Sequence, residues 1–188
     1  MKNIAAFFLF LVSLVSAQIM ATDQESILTE LRLKYYSAVE ESDSVKALEK
    51  MVTELSKSNK LHSDEILTAY RGGIMALKAK HAFWPFSKLN YLNESMEILD
   101  SVISKVPDNL EIRFMRYSIL HYVPDFLGWG DEKEADASKI YVLLMAKEYE
   151  GLPDEIITGI TQFMLDSDRL SPLQEAELES EILLTLGR

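Results

Sequence analysis

Apolar residues recur along this chain at helical spacing from Asp23 onward, interrupted by turn signals about every 20 residues, and no stretch alternates as a strand would. The densest stretch runs from Pro107 to Gly130. Its helical part, Leu110 to Val123, carries apolar or aromatic groups at Leu110, Ile112, Phe114, Met115, Tyr117, Ile119, Leu120, Tyr122 and Val123. It is hydrophobic nearly all round, the mark of a buried helix on which its neighbours pack. Asn109 supplies an N-cap, and Pro124 disfavours helical geometry at Val123 before it.

Other helices follow from the same spacing. Ile27, Leu31, Tyr35 and Val39 line a first helix that ends near Glu41-Ser42-Asp43, and Ser44 caps a second with the stripe Val45, Leu48, Val52 and Leu55. Ser63 opens a third, with Ile66, Leu67, Tyr70, Ile74, Leu77 and His81 on its apolar side. Gly72 and Gly73 inside it cost about 1 kcal/mol each relative to alanine, so close approach of another backbone is expected there. Phe83-Trp84-Pro85-Phe86 breaks the pattern, and Ser87 caps a fourth helix with Leu92, Met96, Leu99, Val102 and Ile103 inward. After the aromatic loop Pro124 to Gly130, Asp131 starts a sixth helix that Gly151 stops. Asp154 to Leu165 forms a seventh, and Ser171-Pro172 opens an eighth that runs to Leu186. Eight helices with short connections predict an all-α fold of antiparallel hairpins stacked as a helical repeat.

The first residues change the picture of compartment. Lys2, the apolar run Ile4 to Val15 and the small residues Val15-Ser16-Ala17 read as an export signal cleaved after Ala17. The run is too short for the ~20 apolar residues that span a bilayer. Removing 17 of 188 residues leaves 171, Gln18 to Arg188, which suits one domain. The product is then expected to be soluble in the periplasm or outside the cell. There is no cysteine, so thiol chemistry and Cys-ligated zinc are excluded. Without Lys2 the chain has 18 basic against 30 acidic residues, a formal charge of −12. Nucleic acid and anionic membranes are expected to be poor partners, because both would repel a chain this acidic.

The junction Pro107-Asp108-Asn109-Leu110-Glu111-Ile112 resembles the boundary between two tetratricopeptide repeats, with Ser95, Leu99 and Val102 at that repeat's small, bulky and small positions and the glycine pair on a preceding helix. The loop Ala82 to Ser87 and the 46 residues from Pro107 to Pro153 depart from the 34-residue period, so the resemblance is to a tetratricopeptide-like protein and not a regular array. The string from Glu111 to Gly128 also resembles an uncharacterised family of exported Bacteroidota-type proteins, in which E-I-R-F-x-R is followed by P-x-F-L-G. That likeness covers Tyr70 to Lys139 and implies a fold and a compartment, with no activity attached.

Few groups suggest chemistry. Arg113 and Arg116 stand three apart on one face of an apolar helix. Either they pair internally, with Glu111, Asp125, Asp131, Glu134 or Asp136 available, or they form a carboxylate or phosphate clamp. His62, His81 and His121 lack metal-ligand spacing, so no metal is expected, and no nucleophile elbow or phosphate loop occurs, so neither an enzyme nor a cofactor is expected. Asn93-Glu94-Ser95 is a glycosylation sequon placed mid-helix. The two aromatic loops, with Trp84 and Phe86 in one and Phe126 and Trp129 in the other, either seal the helix stack or dock a partner. The sequence therefore points to a protein-interaction or scaffolding module that holds a partner peptide in a concave groove, with Trp84, Phe86, Phe126, Trp129, Arg113 and Arg116 as candidate contacts. The alternatives are a small-ligand binder or enzyme built on an Arg113/Arg116/His121 cleft, and a structural subunit.

Overall fold

A computed structural model describes residues 23–58, 61, 64–149 and 151–186, with side-chain surroundings as far as residue 181. The proposed export signal at 1–17, His62 and the Ser63 cap lie outside those residues. All regular structure among the described residues is helical, so the all-α expectation holds. The elements are α1 (23–40), α2 (Ser42–Ser58), α3 (Asp64–His81), α4 (Pro85–Ile103), α5 (Leu110–His121), a 3-10 turn (Asp125–Leu127), α6 (Gly130–Ala146), α7 (Asp154–Asp166) and α8 (Pro172–Leu186). The chain divides between Leu67 and Thr68 into two compact units.

In the first unit, Val45, Leu48, Val52 and Leu55 form the buried stripe of α2, as their spacing requires. On α1 the inward side runs through Leu31, Arg32 and Ala38, while Ile27, Tyr35 and Val39 are only half-buried. The break between the helices is one residue, Glu41. Its carboxylate accepts the Ser44 hydroxyl at 3.1 Å, so Ser44 secures the turn from inside α2 instead of capping the helix.

In the second unit, contacts give the helix directions. Gly72 faces Ile98 and Leu99, while Lys80 O accepts Lys88 Nζ at 3.0 Å, so α3 and α4 run in opposite directions. Asp108–Lys139, Arg113–Asp136 and Val123–Lys133 do the same for α5 and α6. Tyr141–Glu177 and Lys147–Glu181 run in register, so α6 and α8 are parallel. A core of Leu110, Tyr117, Ile140, Leu143, Ile157, Ile160, Met164 and Leu178 fills the space between α5, α6, α7 and α8. Each fully buried side chain of this size contributes ~1.5–3 kcal/mol.

Helix ends follow local chemistry. Asn109 Oδ1 accepts the Ile112 N–H at 3.0 Å, the expected cap of α5. Ser171 and Gln174 exchange bonds of 2.9 and 3.4 Å as a capping box for α8. Three expected boundaries are corrected. Helix α4 starts at Pro85, not after Ser87, because proline is preorganised for the first helical position and holds Trp84 extended (φ −87°, ψ 133°) at the cap. Helix α5 stops at His121, leaving Tyr122 as its cap. Helix α6 ends at Ala146 because Lys147 adopts a left-handed conformation (φ 58°), with Glu148 N–H donating to Leu143 O at 3.0 Å. Gly151 merely follows in the loop.

The structure gives Gly72 a reason, though the neighbour is a side chain and not a backbone. A Cβ placed there would lie 2.8 Å from Leu99 Cγ, and Leu99 is fully buried. Gly72→Leu is expected to lower stability by ~3 kcal/mol through overpacking, which outweighs the ~1 kcal/mol gained in helix propensity. Urea unfolding checks this, and an unchanged midpoint would show that α3 and α4 are not in close contact at this point.

Candidate functional site

The two arginines of α5 meet one carboxylate. Arg113 and Arg116, three apart, turn toward α6, whose Asp136 is fully buried. Asp136 Oδ1 accepts from Arg113 Nη1 and Arg116 Nη2, each at 2.8 Å, and Oδ2 accepts from Arg116 Nε at 2.6 Å. Arg116 Nη1 donates to Asp100 on α4, and Arg113 Nε donates to Pro107 O at 2.8 Å. Two guanidinium groups thus face two carboxylates and the formal charges cancel. Burial opposes the Arg116 charge, but Asp136 and then Asp100 outweigh it and hold the guanidinium above its ordinary pKa. The geometry is that of an internal ion-pair network. Asp136 was among the acids expected nearby, whereas Asp100, 16 residues before Arg116, had no local signal.

A second buried cation holds the aromatic loop. Lys133 is 3% exposed, and its Nζ donates to Val123 O at 3.0 Å and to Asp125 Oδ1 at 2.6 Å. Arg169 stands 3.8 Å from Asp125 and 3.9 Å from Glu134. The Lys133 hydrogen bond and charge hold the Asp125 carboxyl below its usual range. This residue escaped sequence reasoning, although it lies on the stripe Lys133, Ala137, Ile140, Leu144, one turn ahead of the first apolar member.

His121 joins an aromatic cluster instead of a charged cleft. Its ring centroid lies 5.1 Å from Phe163 and 5.0 Å from Tyr122, and Phe163 also meets Phe114 at 5.2 Å and Tyr117 at 5.9 Å. The edge-to-face arrangement of these rings is the favoured one. His81 ends α3, half-buried. A cavity of about 20 Å³, room for one water molecule, is lined by Leu144, Tyr149, Ile157, Thr158, Thr161, Leu178 and Glu181. Arg113, Arg116 and His121 are not among its walls.

The aromatic loops face outward. Phe83 is 84% exposed, Trp84 68% and Phe86 85%; in the other loop Phe126 is 86% exposed, and Tyr122 beside it 78%. Only Trp129 is half-buried, at the N-cap of α6. These loops therefore do not seal the helix ends. Their surroundings differ in charge. From Ile66 to Asn93 the chain has Arg71, Lys78, Lys80 and Lys88 and no acidic residue, whereas Asp125, Asp131, Glu132 and Glu134 lie in or just after the second loop, with Lys133 among them and Arg169 beside Asp125 and Glu134. That 28-residue gap in the acids was visible in the sequence but is hidden by a whole-chain balance.

No family model, curated protein or solved structure matches this chain, so the roles of these groups follow from their own chemistry. Asp136→Ala is expected to destabilise the fold by ~3 kcal/mol by removing the shared carboxylate of the buried Arg116 and the half-buried Arg113, and Arg116→Met in that background to restore part of the loss. Urea denaturation of both variants checks this; equal midpoints for Asp136→Ala and the parent would rule out a structural role. The Asp125–Lys133 bridge has a definite pH sign. A carboxyl with a lowered folded pKa stabilises above its unfolded value and ceases to do so as the pH falls through the folded one. With Trp84 replaced by Phe, Trp129 emission is expected to change below about pH 4. Lys133→Met abolishes that transition; a transition that persists in Lys133→Met would assign it to other carboxyls.

Proposed function

We propose that this chain is an exported, tetratricopeptide-like module for protein–protein interaction or scaffolding at the cell envelope. One observation carries the reading: large aromatic side chains stand almost fully exposed in both loops, at a cost that a docking role explains. Two further features favour it over a ligand-binding cleft. The arginines are engaged by Asp136 and Asp100, and neither they nor His121 line the 20 Å³ cavity beside α7 and α8. The opposed directions of α3/α4 and α5/α6 suit a stack of helical hairpins. Among the described residues no helix is long and apolar enough to cross a membrane. The acidic loop supplies the protein contact, with Tyr122 and Phe126 as anchors on a base fixed by Lys133.

The test is affinity capture from envelope extract with the exported protein, whose N-terminus is expected at Gln18. A Tyr122→Ser/Phe126→Ser variant runs alongside, its fold checked by its melting temperature. Each anchor is expected to be worth ~2 kcal/mol, so a partner captured by the parent binds the double variant several hundredfold more weakly. Identical captured sets for parent and folded variant would sink the reading.

A further inference from the structure

We propose that the N-terminal half of α4 is a homodimer interface, on which two copies of this chain pack α4 against α4, antiparallel, around a two-fold axis at Leu89 and Asn90. The face exists because α4 outruns α5. Arg113 Nε donates to Pro107 O and Arg116 Nη1 to Asp100, so α5 turns back along α4. From the Asp100 link α4 extends back 15 residues to Pro85, while α5 continues for only five beyond Arg116, to His121. At 1.5 Å per residue the difference is about 15 Å of α4 that α5 does not reach. The stripe Phe86, Leu89, Asn93, Met96 and Asp100 recurs every three or four residues on one side of α4. Asp100 is held by α5 and Met96 is buried, whereas Asn93, Leu89 and Phe86 are exposed. One continuous helix face is covered at one end and left in water at the other.

Area, charge and symmetry select a second copy as the occupant. An aromatic side chain buries 150–250 Å² when covered, so the exposed fractions of Phe83, Trp84 and Phe86 leave roughly 500 Å² of apolar surface in water. Two such patches facing each other reach the roughly 1,000 Å² that a specific interface requires. From Pro85 to Asn93 the helix has no acidic residue, and its one cation, Lys88, lies off the stripe with Nζ donating to Lys80 O at 3.0 Å. A two-fold axis sets the stripe against its own reversed copy, where a charged group would meet its like. The amides of Asn90 and Asn93 both donate and accept, so they complement themselves. In this register Phe86 of one copy lies over the turn from Leu89 to Asn93 of its partner. Phe83 and Trp84, packed edge to face at 5.2 Å ahead of Pro85, close each end, and with the loop already held by Lys88 little ordering is left for association to cost.

Analytical ultracentrifugation of the purified exported protein from about 1 to about 100 µM is expected to show a reversible monomer–dimer equilibrium. Raising salt from about 0.1 M to about 0.5 M is expected to leave the dimer intact, since the covered surface is uncharged and the mutual repulsion of two acidic chains is screened. Phe83→Ser/Phe86→Ser is expected to weaken dimerisation about a hundredfold or more, because a symmetric contact makes every substitution twice. Its melting temperature at a concentration where the parent is monomeric is expected to match the parent's, since both side chains are already in water there. The chain has no cysteine, so Asn90→Cys supplies a single thiol, expected to cross-link across the axis on mild oxidation roughly tenfold or more faster than Val142→Cys, exposed on α6. A parent that stays monomeric, a dimer dissolved by salt, full dimerisation of the folded Phe variant, or equal cross-linking by the two cysteine variants would each overturn the proposal. So would a monomer that sediments with phosphatidylcholine vesicles through Phe83 and Phe86, which would make lipid the occupant. The partner capture targets Tyr122 and Phe126, which lie outside this face, so the failure of one result leaves the other standing.

Discussion

The pairing of one fully buried carboxylate with two arginines fixes how α5 and α6 meet, and the second unit is arranged around that pair of helices. Asp136 could not be inside unless cations of matched geometry were waiting for it, since an unpaired charge at that depth would be prohibitive. A buried ion pair of this kind adds little net stability compared with an apolar pair of the same volume. Its contribution is register. Apolar stripes repeat every three or four residues and would tolerate a slip of one turn. Charged links at three heights, Asp108–Lys139, Arg113/Arg116–Asp136 and Val123–Lys133, would all be lost by it.

The same interface explains why the exposed loops can be presented rigidly. The segment after α5 leaves the core at Tyr122 and would carry free carbonyl groups at the helix end. Lys133 reaches from the first turn of α6 to Val123 O and on to Asp125, so a buried ammonium both satisfies the helix end and anchors the short 3-10 turn that carries Phe126. Lys88 does comparable work for the loop 82–84. In both places the lysine is fixed while the aromatic group is left in water. A chain under selection for stability alone would not expose Phe83, Phe86 and Phe126 beside such well-satisfied backbone.

How much could be read from the sequence depended on whether a signal was local. The stripes of α2 and α4, the Asn109 cap and the Ser171-Pro172 start depend on spacing within one or two turns, and each was legible. Helix ends set by a left-handed lysine were not, because Lys147 has no residue-type preference that marks it, and a nearby glycine drew the boundary four residues too far. Long-range pairing was legible in kind only. Two arginines on an apolar helix required acceptors, yet choosing Asp136 and Asp100 over closer acids needed the packing of α4 and α6 on α5. Lys133 was not read as a core position, although it sits with Asp136 on the inner stripe of α6.

A sum over charges conceals more than it tells when charges are segregated. The net value of −11 averages a stretch with four cations and no acid together with a remainder in which acids outnumber bases two to one. Screening confines each exposed charge to about 8–10 Å at physiological salt, so a surface responds to what lies within one Debye length and not to the total. At the loop 82–84 that neighbourhood in sequence is Lys78, Lys80 and Lys88; at the loop 122–129 it is Asp125, Asp131, Glu132 and Glu134, with Lys133 among them. Two loops of similar aromatic content therefore differ in the charged residues beside them in sequence.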